Sequence, residues 1–272
     1  MRSVGLVLGG GAVRGFAHIG VLKTLEKHHV AISSIAGSSM GGAIGGLYAA
    51  GIPPEAIERY ITETPKRHLL HLLDVGFPNR GLIGGKGVAR IIEELIDQQS
   101  AQRRIEDFPI RFRAVSVDLN RGKQVIFARG DLVAALRATT AFPGVFAPVI
   151  KQGMMLVDGG VLNNLPVEAL DRTGDPLVIA VDVTRGNAEK PARNMVEVAY
   201  RSYSLLVAER KHTSLVQADV VIRPDVGDYA AFDFNKIQSC IDAGETAAEK
   251  ALSGMRCAGQ ADPMRPAKVL HL

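Results

Sequence analysis

Gly37-Ser38-Ser39-Met40-Gly41 constrains this chain more than any other stretch. The five residues fit G-x-S-x-G, and their flanks decide how the pattern reads. Residues 30–36 before it have the apolar, β-branched character of a buried strand. Residues 42–50 after it are small and apolar, and read as a tightly packed helix. Strand, sharp turn and helix in that order form a nucleophile elbow, with the middle residue at the tip of the turn. Gly37 and Gly41 let the backbone bend and let neighbouring elements approach closely. Ser39 then stands at a helix N-terminus, where N–H groups and the helix dipole favour developing negative charge. The pattern alone also fits a Gly/Ser-rich turn without chemistry. The rest of the chain must supply the partners that such a serine needs.

The chain has 272 residues, 47% of them hydrophobic, enough for a sizeable core. Its formal charge of +4 and pI of about 9.1 are compatible with anionic lipid surfaces but too weak to argue for nucleic acid. No tryptophan and only 5% aromatic residues leave few platforms on which bases could stack. Cys240 and Cys257 offer neither metal spacing nor a disulfide framework, so a cytoplasmic, reducing location is expected. Met1-Arg2-Ser3-Val4 leads at once into a strand and a glycine loop, without the apolar core of a signal peptide. The longest apolar run, 31–52, is broken by serines and glycines and contains the elbow. It reads as strand plus buried helix, not as a membrane span.

Strand and helix patterns alternate, which argues for an α/β fold with a largely parallel central sheet. Strands are expected at 4–8, 32–36, 154–157, 177–183 and 219–222, with a hairpin of 112–118 and 124–128 around Asn120-Arg121-Gly122. Helices are expected at 15–28, 55–64, 86–98, 131–140, 192–217 and 236–252, and a loose tail at 254–272. With no repeat and no linker, the reading is one domain over 1–272, its motifs lying within about 4–185. Residues 69–77, apolar and preceded by Lys66, Arg67 and His68, read either as a helix packed on the core or as an apolar flap over a substrate entrance.

The first strand runs into Gly9-Gly10-Gly11-Ala12-Val13-Arg14-Gly15. Glycines at such a place let backbone amides point at an anion. A dinucleotide loop is one reading, but it wants an acidic residue at the end of the next strand, where this chain has Ser33, Ser34 and the elbow. Gly84-Gly85-Lys86-Gly87 fails as a phosphate loop, since no Ser or Thr follows the lysine. An oxyanion hole facing Ser39 is the other reading. Arg14 would orient the loop, meet an anionic head group, or form a surface salt bridge.

A nucleophilic serine needs a base. The seven histidines are His18, His28, His29, His68, His71, His212 and His271, and none follows a late strand in the order Ser, Asp, His. His18 reads as structural. Val157-Asp158-Gly159-Gly160 instead presents a carboxylate on a tight turn at a strand end, able to take the Ser39 proton directly. Asp118 and Asp182 also end apolar strands and are the rivals.

The glycine loop with its basic residue, the elbow and the D-G-G turn, in this order, resemble the patatin-like phospholipase family. The flanks Phe16-Ala17-His18-Ile19-Gly20-Val21-Leu22 and Ala141-Phe142-Pro143-Gly144-Val145-Phe146-Ala147-Pro148 look like its bacterial members. The resemblance implies a three-layer α/β/α sandwich with a mainly parallel sheet. It implies acyl-ester hydrolysis of lipids without a metal or organic cofactor, by a Ser–Asp dyad. Carried over, Ser39 is the nucleophile and Asp158 the base. Gly10, Gly11 and Ala12 form the oxyanion loop with Arg14 and Gly15, while Gly37, Gly41, Gly159 and Gly160 support the turns. Ala12 departs from the family's third glycine, and keeps an inward amide if its φ stays negative. Expected partners are a lipid or acyl-ester substrate and, peripherally, the anionic inner face of a membrane. A catalytically silent regulator or scaffold on the same fold is the alternative, with a nucleotide-dependent oxidoreductase behind it.

Overall fold

In a computed structural model, residues 3–64, 84–174, 177–184, 195–227, 229, 233–259 and 270–271 are described. They form a central sheet flanked by helices. The strands are β1 Val4–Leu8, β2 Ile32–Ser38, β3 Arg111–Asp118, β4 Lys123–Phe127, β5 Val149–Lys151, β6 Met154–Asp158, β7 Leu177–Val181, β8 Val220–Ile222 and β9 Leu270–His271. The helices are α1 Ala17–Lys27, α2 Ser39–Ala49, α3 Pro54–Glu63, α4 Lys86–Gln99, α5 Leu132–Thr139, α6 Met195–Leu215 and α7 Ile237–Gly259. β3, β2, β1, β7, β8 and β9 lie side by side and parallel. β4 and β6 join β3 antiparallel, and β5 extends β6.

Strand alternation builds the two faces. Leu6 and Leu8 of β1 join one apolar cluster, with Ile35, Ala114, Ile179 and Val181. Val7 joins the other, with Ala36, Val115, Val178 and Ala180. Successive side chains of a strand point to opposite faces, so strands buried on both sides read as continuous apolar runs. The first cluster carries α1, α2 and α7. Gly20 lies against the Ile241 carbonyl and Gly244 against the Ala17 carbonyl, so α1 and α7 approach at backbone distance. That contact fixes α1, which carries His18.

β3 holds the relationship that matters for the site. Val115 pairs with Ser38 of β2 and Ile126 of β4, and the next residue, Ser116, pairs with Val125 of β4 and Asp158 of β6. Since β4 runs along one edge, β2 and β6 share the other, end to end. β2 leaves the sheet at the elbow, and β6 takes up the same edge one position on.

Several expectations are corrected. A 3-10 turn, Ala12–Phe16, precedes α1, so the regular helix begins two residues later than the periodicity predicts. β2 extends through Gly37 and Ser38. The short β5, polar at Lys151 and exposed at Ile150, carries no periodic signal and is found only through its pairing with β6. The expected loose tail is partly ordered. α7 continues to Gly259, and Met255 packs against the core, holding the helix past Gly254 despite the roughly 1 kcal/mol that glycine costs a helix. Leu270–His271 pairs with β8. Residues 69–77 lie outside the described residues, as do His68 and His71.

Candidate active site

Ser39 is the first residue of α2 and has φ +53°. A non-glycine residue in that region costs on the order of 1–3 kcal/mol and marks a turn held by its surroundings. The holders are named. A Cβ at Gly37 would lie 2.6 Å from the Gly41 carbonyl oxygen and the Gly42 nitrogen. A Cβ at Gly41 would strike the Leu8 carbonyl and lie 2.6 Å from the Gly9 oxygen. The elbow glycines therefore serve close approach, while the strained dihedral sits on Ser39 itself. The Ser39 N–H donates to Thr139 Oγ1 at 2.9 Å, and the Thr139 hydroxyl donates to the Val115 carbonyl.

Asp158 is fully buried, and its Oδ1 accepts from the Gly160 N–H at 2.8 Å. Burial pushes its carboxyl up to about 7, against opposing contributions from the Ser39 hydroxyl and the Gly160 amide. Oδ2 has no hydrogen-bond partner among the described residues. Its contact with Ser39 is looser than a closed hydrogen bond, and catalytic hydrogen bonds commonly tighten only in the reacting complex. Gly159 is where β6 would run into β2. A Cβ there would strike the Val115 carbonyl and lie 2.7 Å from Ser38 Oγ. A Cβ at Gly160 would strike the Tyr203 hydroxyl.

The rival aspartates serve their own turns. Asp118 takes an ion pair from Arg121 at 2.7 Å and accepts from the Asn120 and Met155 amides. The Arg121 hydrogen bond leads the causes that hold its carboxyl low. Asp182 accepts from the Thr184 amide at 2.9 Å and from its hydroxyl, with Arg223 at 3.8 Å.

The glycine loop is pinned from three sides. Gly9 N–H donates to Val181 O at 3.1 Å, Gly10 N–H to Asn164 O at 3.0 Å and Arg14 N–H to Gly11 O at 3.1 Å. Gly11, Ala12 and Met40 amides have no backbone acceptor among the described residues. Within the loop the Gly10 N–H is committed to Asn164. Gly10 is a glycine because a Cβ would lie 2.9 Å from Ser39 Cβ. The condition set for Ala12 fails. Its φ is +48°, where an L-residue pays about 1–2 kcal/mol, and the turn rather than a ligand demands glycine there. Gly15 admits Met40, whose Cβ would lie 2.5 Å from a Cβ at that position.

Arg14 is buried, and it has no ion pair among the described residues. It donates to the Tyr200 hydroxyl at 2.6 Å, and its guanidinium lies 5.6 Å from that ring's centre. His18 is structural, as expected. Its Nε2 donates to the Gly9 carbonyl at 2.7 Å, and burial lowers its pKa to about 4, keeping the ring neutral. His28 pairs with Glu249.

Ser39 opens into a cavity of about 700 Å³. Gly10, Gly11, Ala12 and Asn164 border it beside the serine. Ile44 and Leu47 of α2, Ile57 and Ile61 of α3, and Val88, Ile91, Ile92 and Leu95 of α4 form apolar walls. Tyr200, Tyr203, Ser204 and Val207 bring one face of α6 to the same space. Phe142 stacks edge-on with Tyr203, ring centres 4.9 Å apart. Thr139, Asn164, Tyr200 and Tyr203 are site residues that sequence reasoning missed. Asn163-Asn164 carries a turn signal only, and the tyrosines reach the site from far along the chain.

Fold and site define an α/β protein built around a strained serine elbow and a buried aspartate one sheet position away. A family model described as patatin-like phospholipase matches residues 6–171. An uncharacterized NTE family protein of Mycobacterium tuberculosis is 39% identical over 191 residues, covering 70% of this chain and 51% of the relative. Lysophospholipase NTE1 of Debaryomyces hansenii is 30% identical over 292 residues, covering 97% of this chain and 19% of the relative. The fold is similar to that of VipD from Legionella pneumophila, with TM-score 0.57 and 15% identity over 93% of this chain and 67% of that one. The chain belongs to the patatin-like phospholipase family. It spans about half the length of the mycobacterial relatives and about a fifth of the yeast one.

Proposed function

We propose that this protein hydrolyses acyl esters of lipids, in the manner of a phospholipase A or lysophospholipase, through a Ser39–Asp158 dyad. Ser39 Oγ attacks the ester carbonyl carbon, and its proton passes to the Asp158 carboxylate. The charge that forms on the carbonyl oxygen is met by the Gly11 and Met40 amides, each such donor typically worth about 2.7–4 kcal/mol. The tetrahedral intermediate collapses to an acyl-serine, and the leaving alcohol takes the proton from Asp158. Water then attacks the acyl-serine, giving its proton to Asp158. Collapse of the second intermediate frees the fatty acid and returns that proton to Ser39.

One observation carries the reading: a strained serine opens into an apolar cavity of about 700 Å³, with a buried ionisable carboxyl behind it on the neighbouring rung of the sheet. The aliphatic walls of α2, α3 and α4 suit an acyl chain. The name of the yeast relative makes a lysophospholipid the first substrate to try.

Contact with an anionic membrane surface is part of the proposal. Among the described residues no helix is long and apolar enough to cross a membrane. The outward face of α6, however, exposes Met195 (78%), Val198 (53%), Leu205 (51%) and Leu206 (66%), while its inward face lines the cavity. An apolar helix face beside a lipid-sized cavity fits a lipid surface.

The test is hydrolysis of lysophosphatidylcholine and of a short p-nitrophenyl ester by the wild type and Ser39→Ala. Turnover should fall to background in a variant that keeps its fold. Undiminished turnover by folded Ser39→Ala would overturn the proposal.

A further inference from the structure

We infer that Asn164 is a positioning residue that aims the Gly11 amide into the catalytic cavity and locks the glycine loop to the aspartate turn. The inference rests on the hydrolase reading above, and deepens it.

Asn164 clasps Gly10 from both ends of its backbone. Its main-chain carbonyl accepts from the Gly10 N–H at 3.0 Å, and its side-chain Nδ2 donates to the Gly10 carbonyl at 3.0 Å. In a trans peptide the N–H points opposite to the C=O. Drawing the Gly10 carbonyl toward Asn164 therefore turns the Gly11 N–H of the same peptide away from it. Gly11 borders the cavity with Ser39, and its N–H has no backbone acceptor among the described residues. The one carbonyl that sets this amide's direction is thus held by a single side-chain donor.

The other end of the amide reaches the second turn. Asn164 Oδ1 accepts from the Tyr203 hydroxyl at 3.4 Å and would lie 2.7 Å from a Cβ at Gly160. Gly160 is the residue whose N–H holds Asp158 Oδ1. Asn164 itself is 8% exposed, so water does not readily replace a lost donor. Without Nδ2 the Gly10 carbonyl stays buried and unpaired, and the peptide is free to rotate toward another donor. His18 cannot substitute, because its Nε2–H is spent on the Gly9 carbonyl.

Asn164→Ala and Asn164→Leu in the full chain test the inference, the leucine keeping the approximate shape while removing the donor without adding a titratable group. Two probes are used: a short p-nitrophenyl ester and a trifluoromethyl ketone, to which Ser39 adds reversibly to give a hemiketal oxyanion. An amide that acts on the oxyanion affects the transition state more than the bound ester. The expected result is a kcat about 10²-fold lower, the loss typical of one oxyanion donor, with KM within about threefold. Ketone affinity should fall in proportion to kcat/KM, and the midpoint of the pH profile should not move, since Asp158 is untouched. A kcat within about threefold of wild type in either folded variant overturns the inference, as does a raised KM with unchanged kcat. Loss of fold in both variants makes Asn164 structural and also overturns it. A wild type that cleaves no ester, or whose activity survives Ser39→Ala, sinks the hydrolase reading itself. An active, Ser39-dependent wild type with unaffected Asn164 variants sinks this inference alone.

Discussion

Asp158 stands on the rung of β3 next to the one that Ser38 occupies, on the same edge of the strand. The serine at the tip of the elbow and the carboxyl at the end of β6 are neighbours because two strands divide one edge between them. Gly159 lets them abut, since a side chain there would strike Ser38 and Val115.

The first prediction is a pH profile. Asp158 must be ionised to accept the Ser39 proton, and burial raises its pKa to about 7. kcat/KM for a soluble ester should climb with pH through about 7 and level off above it. A profile flat from pH 5 to about 9 would argue against Asp158 as base.

The same shift has a stability consequence of opposite sense. The carboxyl titrates at 3.8 when unperturbed and at about 7 in the fold, so the native state binds the extra proton between those values. Its contribution is complete below pH 4 and is lost as pH rises through about 7. Asp158→Asn should therefore be inactive yet more stable than wild type at pH 8, by up to about 4 kcal/mol, with little difference near pH 4. Urea unfolding at the two pH values reads this directly. A variant less stable than wild type at pH 8 would contradict the assignment.

Ala12→Gly should stabilise the fold by about 1 kcal/mol, since φ +48° suits glycine and strains alanine. Thermal unfolding is the measurement. A lower melting temperature would show that the alanine methyl makes contacts outweighing its strain.

Leu205→Ser with Leu206→Ser should weaken binding to anionic vesicles and slow hydrolysis of aggregated lipid several-fold, while soluble-ester turnover persists. Both side chains face outward from α6, away from Tyr203 and Val207. Equal losses on soluble and aggregated substrates would count against a membrane-facing role.

What was legible in the sequence was local. Gly37, Ser39 and Gly41 fall within five residues, and a strand and a helix flank them, so the elbow could be read without tertiary information. Asp158 was legible because the D-G-G turn is also local. The pairing of the two was not, since it depends on β2 and β6 meeting on β3. Asn164 was missed for the same reason: its importance lies in reaching Gly10, 154 positions away. The positive φ of Ala12 was not legible, because an alanine carries no sequence signal of left-handed backbone. Tyr200 and Tyr203 sit on a helix apolar on two faces, where periodicity does not distinguish the cavity side from the outside.

Covalent labelling of the serine is the most direct measurement of the central claim. A fluorophosphonate should form one adduct per chain, located at Ser39 by peptide mass spectrometry, absent in Ser39→Ala and formed far more slowly in Asp158→Asn. An adduct on another residue, or a rate at Ser39 unchanged by Asp158→Asn, would contradict the serine–aspartate account.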